Sequence, residues 1–265
     1  MPLVTLTRDS AAASTAATTA TAAIATITLD SPANRNALSA ALMDELDAHL
    51  ATVASDASVR AVVLTHTGPT FCAGADLKEA AAGGMERGTQ RLLDLIRAIV
   101  DLPVPVLAHL RGNARAGGLG LVGACDLAVA PASTSFAFSE VRLGLAPAII
   151  SLSTLPRLDP RAAGRYFLTG EEFDGAEAAR IGLLTLAGDG VEGTDAAAEH
   201  LLAGLRLASR QGLVETKRLL NAALAERVAA DGPATVRLSA KLFASEEAAE
   251  GMRARKEHRP PRWVE

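Results

Sequence analysis

A glycine-rich stretch, Arg115 to Leu121, most constrains what this chain of 265 residues can fold into. An apolar strand candidate, Val104 to Leu110, precedes it, and a short apolar helix candidate follows it. Consecutive glycines let a backbone approach a ligand closely, and the first N–H groups of a helix have no partner within the helix. The stretch therefore predicts a backbone site for an anion, or for an oxygen that becomes negatively charged during a reaction.

Two other interpretations of these glycines stay open. They can serve only to let a helix pack tightly against its neighbours. Gly118, Gly120 and Gly123 also spell the G-x-G-x-x-G fingerprint of dinucleotide-binding folds, with Glu140 near the distance of the ribose-binding acid. That fingerprint must open a full βαβ unit, whereas the apolar run Leu127 to Ala130 follows the last glycine almost at once. The context therefore disfavours a dinucleotide site.

Composition excludes several classes of function. With 49% hydrophobic and 21% charged residues, the chain can bury a sizeable core. A net charge of -4 and 3% aromatic residues offer neither a basic surface nor stacking platforms, so no nucleic-acid partner is expected. The two cysteines, Cys72 and Cys125, have apolar neighbours and are expected to be buried thiols of a reducing compartment.

Targeting and metal signals are equally sparse. The chain lacks both a membrane-spanning apolar run and an N-terminal signal pattern, which predicts a cytoplasmic protein without a membrane partner. The five histidines have no metal-ligand spacing, so no metal site is expected.

Strand and helix patterns alternate in the first half of the chain, which predicts an α/β fold with a parallel or mixed sheet. Helices dominate afterwards, and we predict a core over residues 1–195 and a helical region over residues 196–265. Ser39 is the expected N-cap of the first helix, through Val53. Strands are predicted at Leu3–Thr7, Ile24–Leu29, Val59–Thr65, Val104–Leu110, Leu127–Ala130, Ser135–Phe138 and Leu183–Ala187. Further helices are predicted at Glu86–Val100, Arg161–Leu168, Gly175–Ile181, Thr194–Ala208, Gln211–Leu224, Gly232–Phe243 and Ser245–Glu257.

Two segments outside this pattern are expected to be loops or tails. The Ala/Thr/Ser tract from Ser10 to Ala23 predicts a mobile hairpin loop between the first two strands. The basic residues from Arg253 to Arg262 predict a solvated end that can reach a phosphate or a neighbouring subunit.

Four motifs resemble those of the crotonase, or enoyl-CoA hydratase/isomerase, superfamily. They are Asn36-Ala37-Leu38-Ser39, Phe71 to Lys78, Gly112 to Gly118 continuing to Cys125-Asp126-Leu127, and Phe138 to Pro147. The resemblance extends over nearly the whole chain. It implies a spiral of ββα repeats completed by C-terminal helices that assemble a homotrimer, or a hexamer as a dimer of trimers. It also implies an acyl-CoA thioester ligand, with coenzyme A as part of the substrate and no separate cofactor.

The same resemblance implies the site residues. The thioester oxygen would lie between the backbone N–H groups of Ala75 and Gly117, where preorganised donors stabilise an enolate. Glu140 would be the acid/base catalyst. The substrate-binding residues that the resemblance implies are Arg35, Ala73, Asp76, Leu77, Lys78 and Gly118, with Arg35 and Lys78 as candidate cations for the CoA phosphates.

One carboxylate that the resemblance leads us to expect is missing. Well-known hydratases of this family use two glutamates, and the first follows the oxyanion glycine by three residues, where this chain has Gly120. The second matches Glu140. A purely structural pairing of Glu140 with Arg142 is the alternative to its catalytic role.

Three reactions fit a single glutamate. The first choice is reversible hydration of a 2-enoyl-CoA, in which Glu140 both orients water and delivers its proton. Bacterial methylglutaconyl-CoA hydratase-like proteins resemble this chain in the Ser139 to Leu145 motif, which suggests fatty acid or branched-chain amino acid metabolism. The alternatives are a Δ3,Δ2-enoyl-CoA isomerase with Glu140 as sole acid/base, and a hydratase-lyase acting on aryl-acyl-CoA. A non-catalytic acyl-CoA-binding or RNA-binding relative is a further hypothesis, which Glu140 and the acidic balance disfavour.

Overall fold

Two sheets and a set of helices form the protein, whose computed structural model describes residues 1–9, 23–76, 79 and 85–264. The strands are β1 (Val4–Arg8), β2 (Ala23–Leu29), β3 (Val59–His66), β4 (Thr70–Cys72), β5 (Val106–His109), β6 (Asn113–Arg115), β7 (Leu127–Pro131), β8 (Phe136–Ala137) and β9 (Leu186–Gly188). The α-helices in this part of the chain are α1 (Ala40–Ser55), α2 (Met85–Asp101), α3 (Gly117–Ala124), α4 (Ala148–Thr154), α5 (Pro160–Thr169), α6 (Gly175–Arg180), α7 (Gly190–Leu207), α8 (Arg210–Phe243) and α9 (Glu246–Lys256).

The larger sheet has six strands in the order β1-β2-β3-β5-β7-β9. β1 and β2 pair antiparallel, as the alternating patterns predicted, and the remaining neighbours pair in parallel. One face of this mixed sheet carries the main core, with buried α1 residues such as Leu42 and Leu46. The other face packs against α7 through Ala198 and Leu202. Helices therefore cover both faces, as a mostly parallel sheet requires.

The smaller sheet consists of the three parallel strands β4, β6 and β8. Each belongs to a repeating unit: β3 and then β4, β5 and then β6, β7 and then β8 alternate between the large sheet and the small one. The predicted α/β spiral of ββα repeats is thereby confirmed. The sequence did not reveal β4 and β6, because strands of three residues are too short to show a periodic pattern.

Two local predictions are confirmed: the N-cap of the first helix and the burial of both cysteines. Ser39 caps α1 by accepting a hydrogen bond from the Leu42 amide at 3.3 Å. Cys72 and Cys125 are buried free thiols, and burial raises the pKa of each to about 12. The predicted loop between the first two strands lies outside the described residues, apart from Ala23.

The predicted break in the long C-terminal helix is wrong. Two helices were expected at Gln211–Leu224 and Gly232–Phe243, but α8 continues from Arg210 to Phe243 with Pro233 inside it. A proline removes one helical hydrogen bond and normally breaks a helix, and tertiary packing compensates here. Val228 and Val236 are buried on either side of the proline, and Gly232 packs directly against Leu93.

A buried ion pair anchors α8 to the middle of the chain. The Lys217 ammonium lies 2.9 Å from Asp126 Oδ2 and donates to the carbonyls of Ile99 and Val104. Asn221 donates to the other Asp126 oxygen at 2.7 Å. Burial lowers the pKa of Lys217, and the charge of Asp126 opposes that effect. Because Asp126 directly follows the end of the α3 region, α8 fixes one end of the glycine-rich helix.

The boundary that we expected between residues 195 and 196 falls inside α7. The division of the chain into a core and a helical region stays a prediction. Within the described ranges, every helix is too short or too polar to cross a bilayer.

Candidate active site

The ends of the three strands of the small sheet bring the predicted site residues to one edge. β4 ends three residues before Ala75, β6 ends two residues before Gly117, and β8 ends three residues before Glu140. Because the strands are parallel and adjacent, their carboxyl ends meet at the same edge. With strands spaced about 4.8 Å apart, the three elements start within roughly 10 Å of one another. Sequence positions 75, 117 and 140 thus converge through the sheet.

The two backbone-donor loops touch each other. A Cβ built on Gly74 would lie 3.3 Å from the Gly117 nitrogen and 2.9 Å from Ala116 Cβ. Only a glycine at position 74, whose φ is 89°, allows this approach. Within the described part of the chain, the amides of Ala75 and Gly117 donate no backbone hydrogen bond. Both are therefore available to an outside acceptor.

Backbone conformation directs the Gly117 amide. Ala116 has φ 46° and ψ -120°, an uncommon combination for a residue with a Cβ, and no side chain caps the start of α3. Among the described residues, the Leu119 amide donates to the Ala116 carbonyl at 2.8 Å, whereas the amides of Gly117 and Gly118 have no acceptor and lie at the positive end of the helix dipole. Backbone outliers of this kind are often held at sites of function.

Apolar side chains surround the Gly117 donor. A Cβ at Gly117 would lie 2.7 Å from Leu38 Cδ1 and 3.4 Å from Leu92 Cδ2. Leu38 is 5% exposed and also bridges to Ala75, since its amide donates to the Gly74 carbonyl at 2.8 Å. In such low-dielectric surroundings, hydrogen bonds to a charged oxygen are stronger than in water.

A buried asparagine fixes the loop that carries Leu38. Asn36 is fully buried with φ 50°, and its side-chain oxygen accepts from the Ser31 amide at 2.7 Å. Its amide nitrogen donates to the carbonyls of Thr67 and Thr70 at 3.1 and 2.8 Å. Asn36 thereby ties its own loop to the start of β4. The sequence offered Asn36 as part of a motif, but its role depends on contacts with distant backbone groups.

Glu140 presents a buried carboxyl oxygen. It lies in a short 3-10 turn, Ser139–Leu143, after β8. Its Oε2 is buried and has no hydrogen-bond partner among the described residues. Loss of hydration raises the pKa of Glu140 to about 7. A carboxyl group with such a pKa can accept and release a proton near neutral pH.

Arg142 does not pair with Glu140. Its Nε donates to the Thr169 carbonyl at 2.9 Å, and its Cγ lies beside Gly170. The structural alternative of a Glu140–Arg142 ion pair is therefore wrong, because the arginine reaches the end of α5 instead.

The position where the resemblance led us to expect a first glutamate is closed by apolar side chains. A Cβ at Gly120 would lie 2.6 Å from Ile150 Cγ2 and 3.3 Å from Ile96 Cδ1. Both isoleucines are buried, so a carboxylate there would need these side chains to move. No local pattern in the sequence indicates that Ile150 fills this space.

The remaining predicted residues divide into four groups. Arg35 is exposed and its carbonyl accepts from the Ala73 amide at 3.1 Å, which places these two loops side by side. Asp76 accepts from the Asn34 side chain at 2.7 Å. Gly118 packs against β4, since a Cβ there would lie 2.7 Å from the Cys72 carbonyl oxygen. Leu77 and Lys78 lie outside the described residues.

The chain is similar in sequence and fold to known enoyl-CoA hydratases. The model of the family described as enoyl-CoA hydratase/isomerase matches residues 19–265. A Rhodobacter capsulatus protein named "Probable enoyl-CoA hydratase" is 36% identical over 249 residues, which cover 91% of this chain and 94% of that protein. The crystal structure of an enoyl-CoA hydratase from Mycobacterium avium is 50% identical with a TM-score of 0.84, over 91% of this chain and 93% of that one. A carnitinyl-CoA hydratase from Mycobacterium avium is 27% identical with a TM-score of 0.80, over 99% and 98% of the two chains.

Proposed function

This chain belongs to the enoyl-CoA hydratase/isomerase family, and we propose that it adds water reversibly to a 2-enoyl-CoA thioester. The convergence of Ala75, Gly117 and Glu140 at one edge of the small sheet carries this proposal. Within the described part of the chain, two amides that donate no backbone hydrogen bond and a carboxyl of raised pKa, whose Oε2 has no partner, match what enolate chemistry requires.

The oxyanion donors act on the thioester oxygen. In our proposal the carbonyl oxygen accepts hydrogen bonds from the amides of Ala75 and Gly117. As a bond forms at C3, negative charge moves from the double bond to this oxygen. Removing one such donor typically costs about 10²- to 10³-fold in rate. Leu38 and Leu92 keep the surroundings of Gly117 apolar and thereby strengthen the interaction.

Glu140 moves the proton. In its ionised form the carboxylate takes a proton from water while the water oxygen bonds to C3, which generates the enolate. The resulting carboxylic acid then gives that proton to C2, and the double bond of the enolate returns to the carbonyl. The net change is addition of H and OH across C2 and C3, with Glu140 restored.

Isomerisation is the second candidate. Gly120 and its apolar neighbours Ile96 and Ile150 leave no carboxylate at the position of a first glutamate. A Δ3,Δ2-enoyl-CoA isomerase needs one base only: Glu140 would take a proton from C2 of the 3-enoyl substrate and return it to C4. A site in which Glu140 is the one proposed acid/base favours this alternative specifically.

Finer assignments also belong to the proposal. The branched methylglutaconyl-CoA class is suggested by the Ser139 to Leu145 motif, and fatty acid or branched-chain amino acid metabolism follows from it. Arg35 and Lys78 are proposed to contact the CoA phosphates, together with Ala73, Asp76, Leu77 and Gly118 along the ligand. We further propose a cytoplasmic homotrimer or hexamer that needs no cofactor besides the CoA of its substrate.

Incubation in doubly labelled water separates the two reactions. The protein would be incubated in ²H₂¹⁸O with 2-enoyl, 3-enoyl and 3-methylglutaconyl CoA esters, and the products analysed by mass spectrometry. Hydration incorporates ¹⁸O together with deuterium, whereas isomerisation exchanges deuterium without oxygen. The Glu140→Gln variant is the matched control. Absence of both labels with every ester in the wild-type protein would contradict the proposal.

A further inference from the structure

A second buried carboxylate, Glu250, lies in α9 outside the candidate active site. It is 5% exposed. Arg259 donates to both of its oxygens, at 2.6 and 3.1 Å, in a bidentate pair. Arg253 lies 3.2 Å from Oε2, and the Arg262 amide donates to Oε1 at 3.2 Å. Glu250 therefore joins α9 to the chain that follows it.

That following chain reverses direction over α9. His258 has φ 53°, a left-handed conformation that costs free energy for a residue other than glycine. Beyond it, the Arg259 amide donates to the Ala254 carbonyl at 3.0 Å. The bidentate pair with Glu250 stabilises this reversal. We call Glu250 together with residues 257–262 the C-terminal clasp.

The helix held by the clasp touches the turn that carries Glu140. A Cβ at Gly251 would lie 2.5 Å from the Leu143 carbonyl oxygen, and a Cβ at Gly144 would lie 2.8 Å from the Glu247 carbonyl oxygen. The two backbones are thus in direct contact at two places, and any side chain at either glycine would separate them.

The opposite side of the turn is also fixed. Arg142 donates to the Thr169 carbonyl at 2.9 Å, and the Phe138 ring lies 4.3 Å from the Phe167 ring centre to centre. Glu140 consequently sits on a turn held between α5 and α9. A shift of α9 would leave the turn supported from one side only.

We propose that Glu250 is a positioning residue. The C-terminal clasp keeps α9 against the Ser139–Leu143 turn and thereby holds the Glu140 carboxyl where water is excluded. This inference rests on the proposed role of Glu140 as the acid/base. It assigns a function to the basic residues at the end of the chain, which bind a carboxylate of the same chain.

Charged groups on the packed elements do not account for the environment of Glu140. Arg142 is bonded to the Thr169 carbonyl, Arg165 and Glu171 on the α5 side pair with each other, and Glu247 on α9 is exposed. Desolvation is the main cause of the raised pKa of Glu140. Loosening the turn should therefore act by admitting water, which lowers that pKa toward its ordinary value of 4.5.

Kinetics of the full-length Glu250→Ala variant test the proposal. With a turning-over enoyl-CoA ester, we expect kcat to fall about 10- to 100-fold through misplacement, with KM within about twofold. The acidic limb of the kcat–pH profile should move about one pH unit or more to lower pH. Arg60→Ala is the matched control, because it removes two hydrogen bonds to the end of α7, away from the turn. Its acidic limb should coincide with that of the wild type.

Variants of Arg259 keep the test decisive if Glu250→Ala does not fold. Arg259→Ala should move the limb in the same direction, and Arg259→Lys, which keeps one charged donor, should restore part of the shift. Lower activity with an unmoved limb in both Glu250→Ala and Arg259→Ala would overturn the positioning role. If Glu140→Gln stays active, the acid/base role on which the proposed function rests is wrong. If Glu140→Gln is inactive but the acidic limbs of Glu250→Ala and Arg259→Ala do not move, only the proposed role of the C-terminal clasp is refuted.

Discussion

Glu140 and Glu250 are buried carboxyl groups on elements that touch, yet their acidities differ widely. Burial without a cationic partner raises the pKa of Glu140 to about 7, whereas the bidentate bond from Arg259 lowers the pKa of Glu250 to about 2. Ordinary glutamate titrates at 4.5. The difference teaches that cation pairing, rather than burial alone, separates a carboxylate that holds the fold from one that can exchange protons.

The largest effect should come from Glu140→Gln. Loss of the proton carrier is expected to lower kcat by about 10²- to 10⁴-fold. Binding of a substrate-like CoA thioester should change little, because its oxygen is held by backbone amides. Stopped-flow rates and calorimetric binding measure the two quantities. Near-normal turnover would mean that the unpaired carboxyl is not the acid/base.

Gly117→Val tests the backbone donors apart from both carboxylates. A Cβ at this position would lie 2.7 Å from Leu38 Cδ1 and 3.6 Å from the Gly74 Cα, so the larger valine side chain crowds both Leu38 and the neighbouring donor loop. We expect kcat to fall about 10²- to 10³-fold, with weaker binding of the CoA thioester. Any residual activity should keep the wild-type acidic limb. An unchanged inhibition constant for a non-reacting CoA thioester would argue against this donor.

Stability measured against pH should respond in opposite senses at the two carboxylates. Glu140 has a higher pKa in the folded state, so its ionisation destabilises the fold as pH rises from about 4.5 to 7. The free energy of unfolding of Glu140→Gln should therefore exceed that of the wild type by at most about 3 kcal/mol above pH 7. Below pH 4.5 the substitution should bring no such gain. Urea titrations at pH 4 and pH 8 would measure this gain, and an equal difference at both would contradict it.

The lowered pKa of Glu250 gives the opposite dependence of folding stability on pH. Its stabilising effect is complete above pH 4.5 and is lost as pH falls toward 2. Glu250→Gln should consequently be less stable than the wild type at pH 8, with the difference shrinking in acid. If the two variants changed stability in the same direction at pH 8, the contrast between the carboxylates would be refuted.

The smallest effect is expected for Ala116→Gly. Ala116 holds φ 46°, which glycine adopts without steric cost, so the substitution should stabilise the protein by about 1 kcal/mol. The acidic limb should not move, since the substitution changes no charged group. Thermal melts measure the change in stability, and the kcat–pH profile measures the position of the acidic limb. A moved limb would show that the donor loop and Glu140 are coupled.

Long, patterned elements could be predicted from the sequence, and short or distant contacts could not. The β3 strand and the α1 cap were recognisable because their signals are local. β4 and β6 were missed because three residues show no period, although they create the edge where the site assembles. The continuity of α8 through Pro233 depends on packing against α2, which no local signal contains.

The site residues also differ in whether a local signal in the sequence reveals their role. The glycine-rich stretch pointed to backbone donors by its residue types, whereas the resemblance to the family implied the roles of Gly117 and Glu140. The roles of Asn36, Ile150 and Glu250 depend on partners far away or on space that neighbours fill. The basic C-terminal residues were expected to be solvated or to reach another molecule, whereas Arg259 binds Glu250 of its own chain.

The anchoring of Asp126 by α8 has a consequence for the order of events during synthesis. Asn221, which binds Asp126, follows it by 95 residues. At about 5 to 20 residues per second, Asp126 leaves the ribosome roughly 5 to 20 seconds before Lys217 and Asn221. The Val106 amide, which also donates to Asp126, is made earlier but carries no charge. Burying the carboxylate without the Lys217 ammonium is costly. The glycine-rich helix, although central in the sequence, is therefore expected to complete its docking only after α8 has been made.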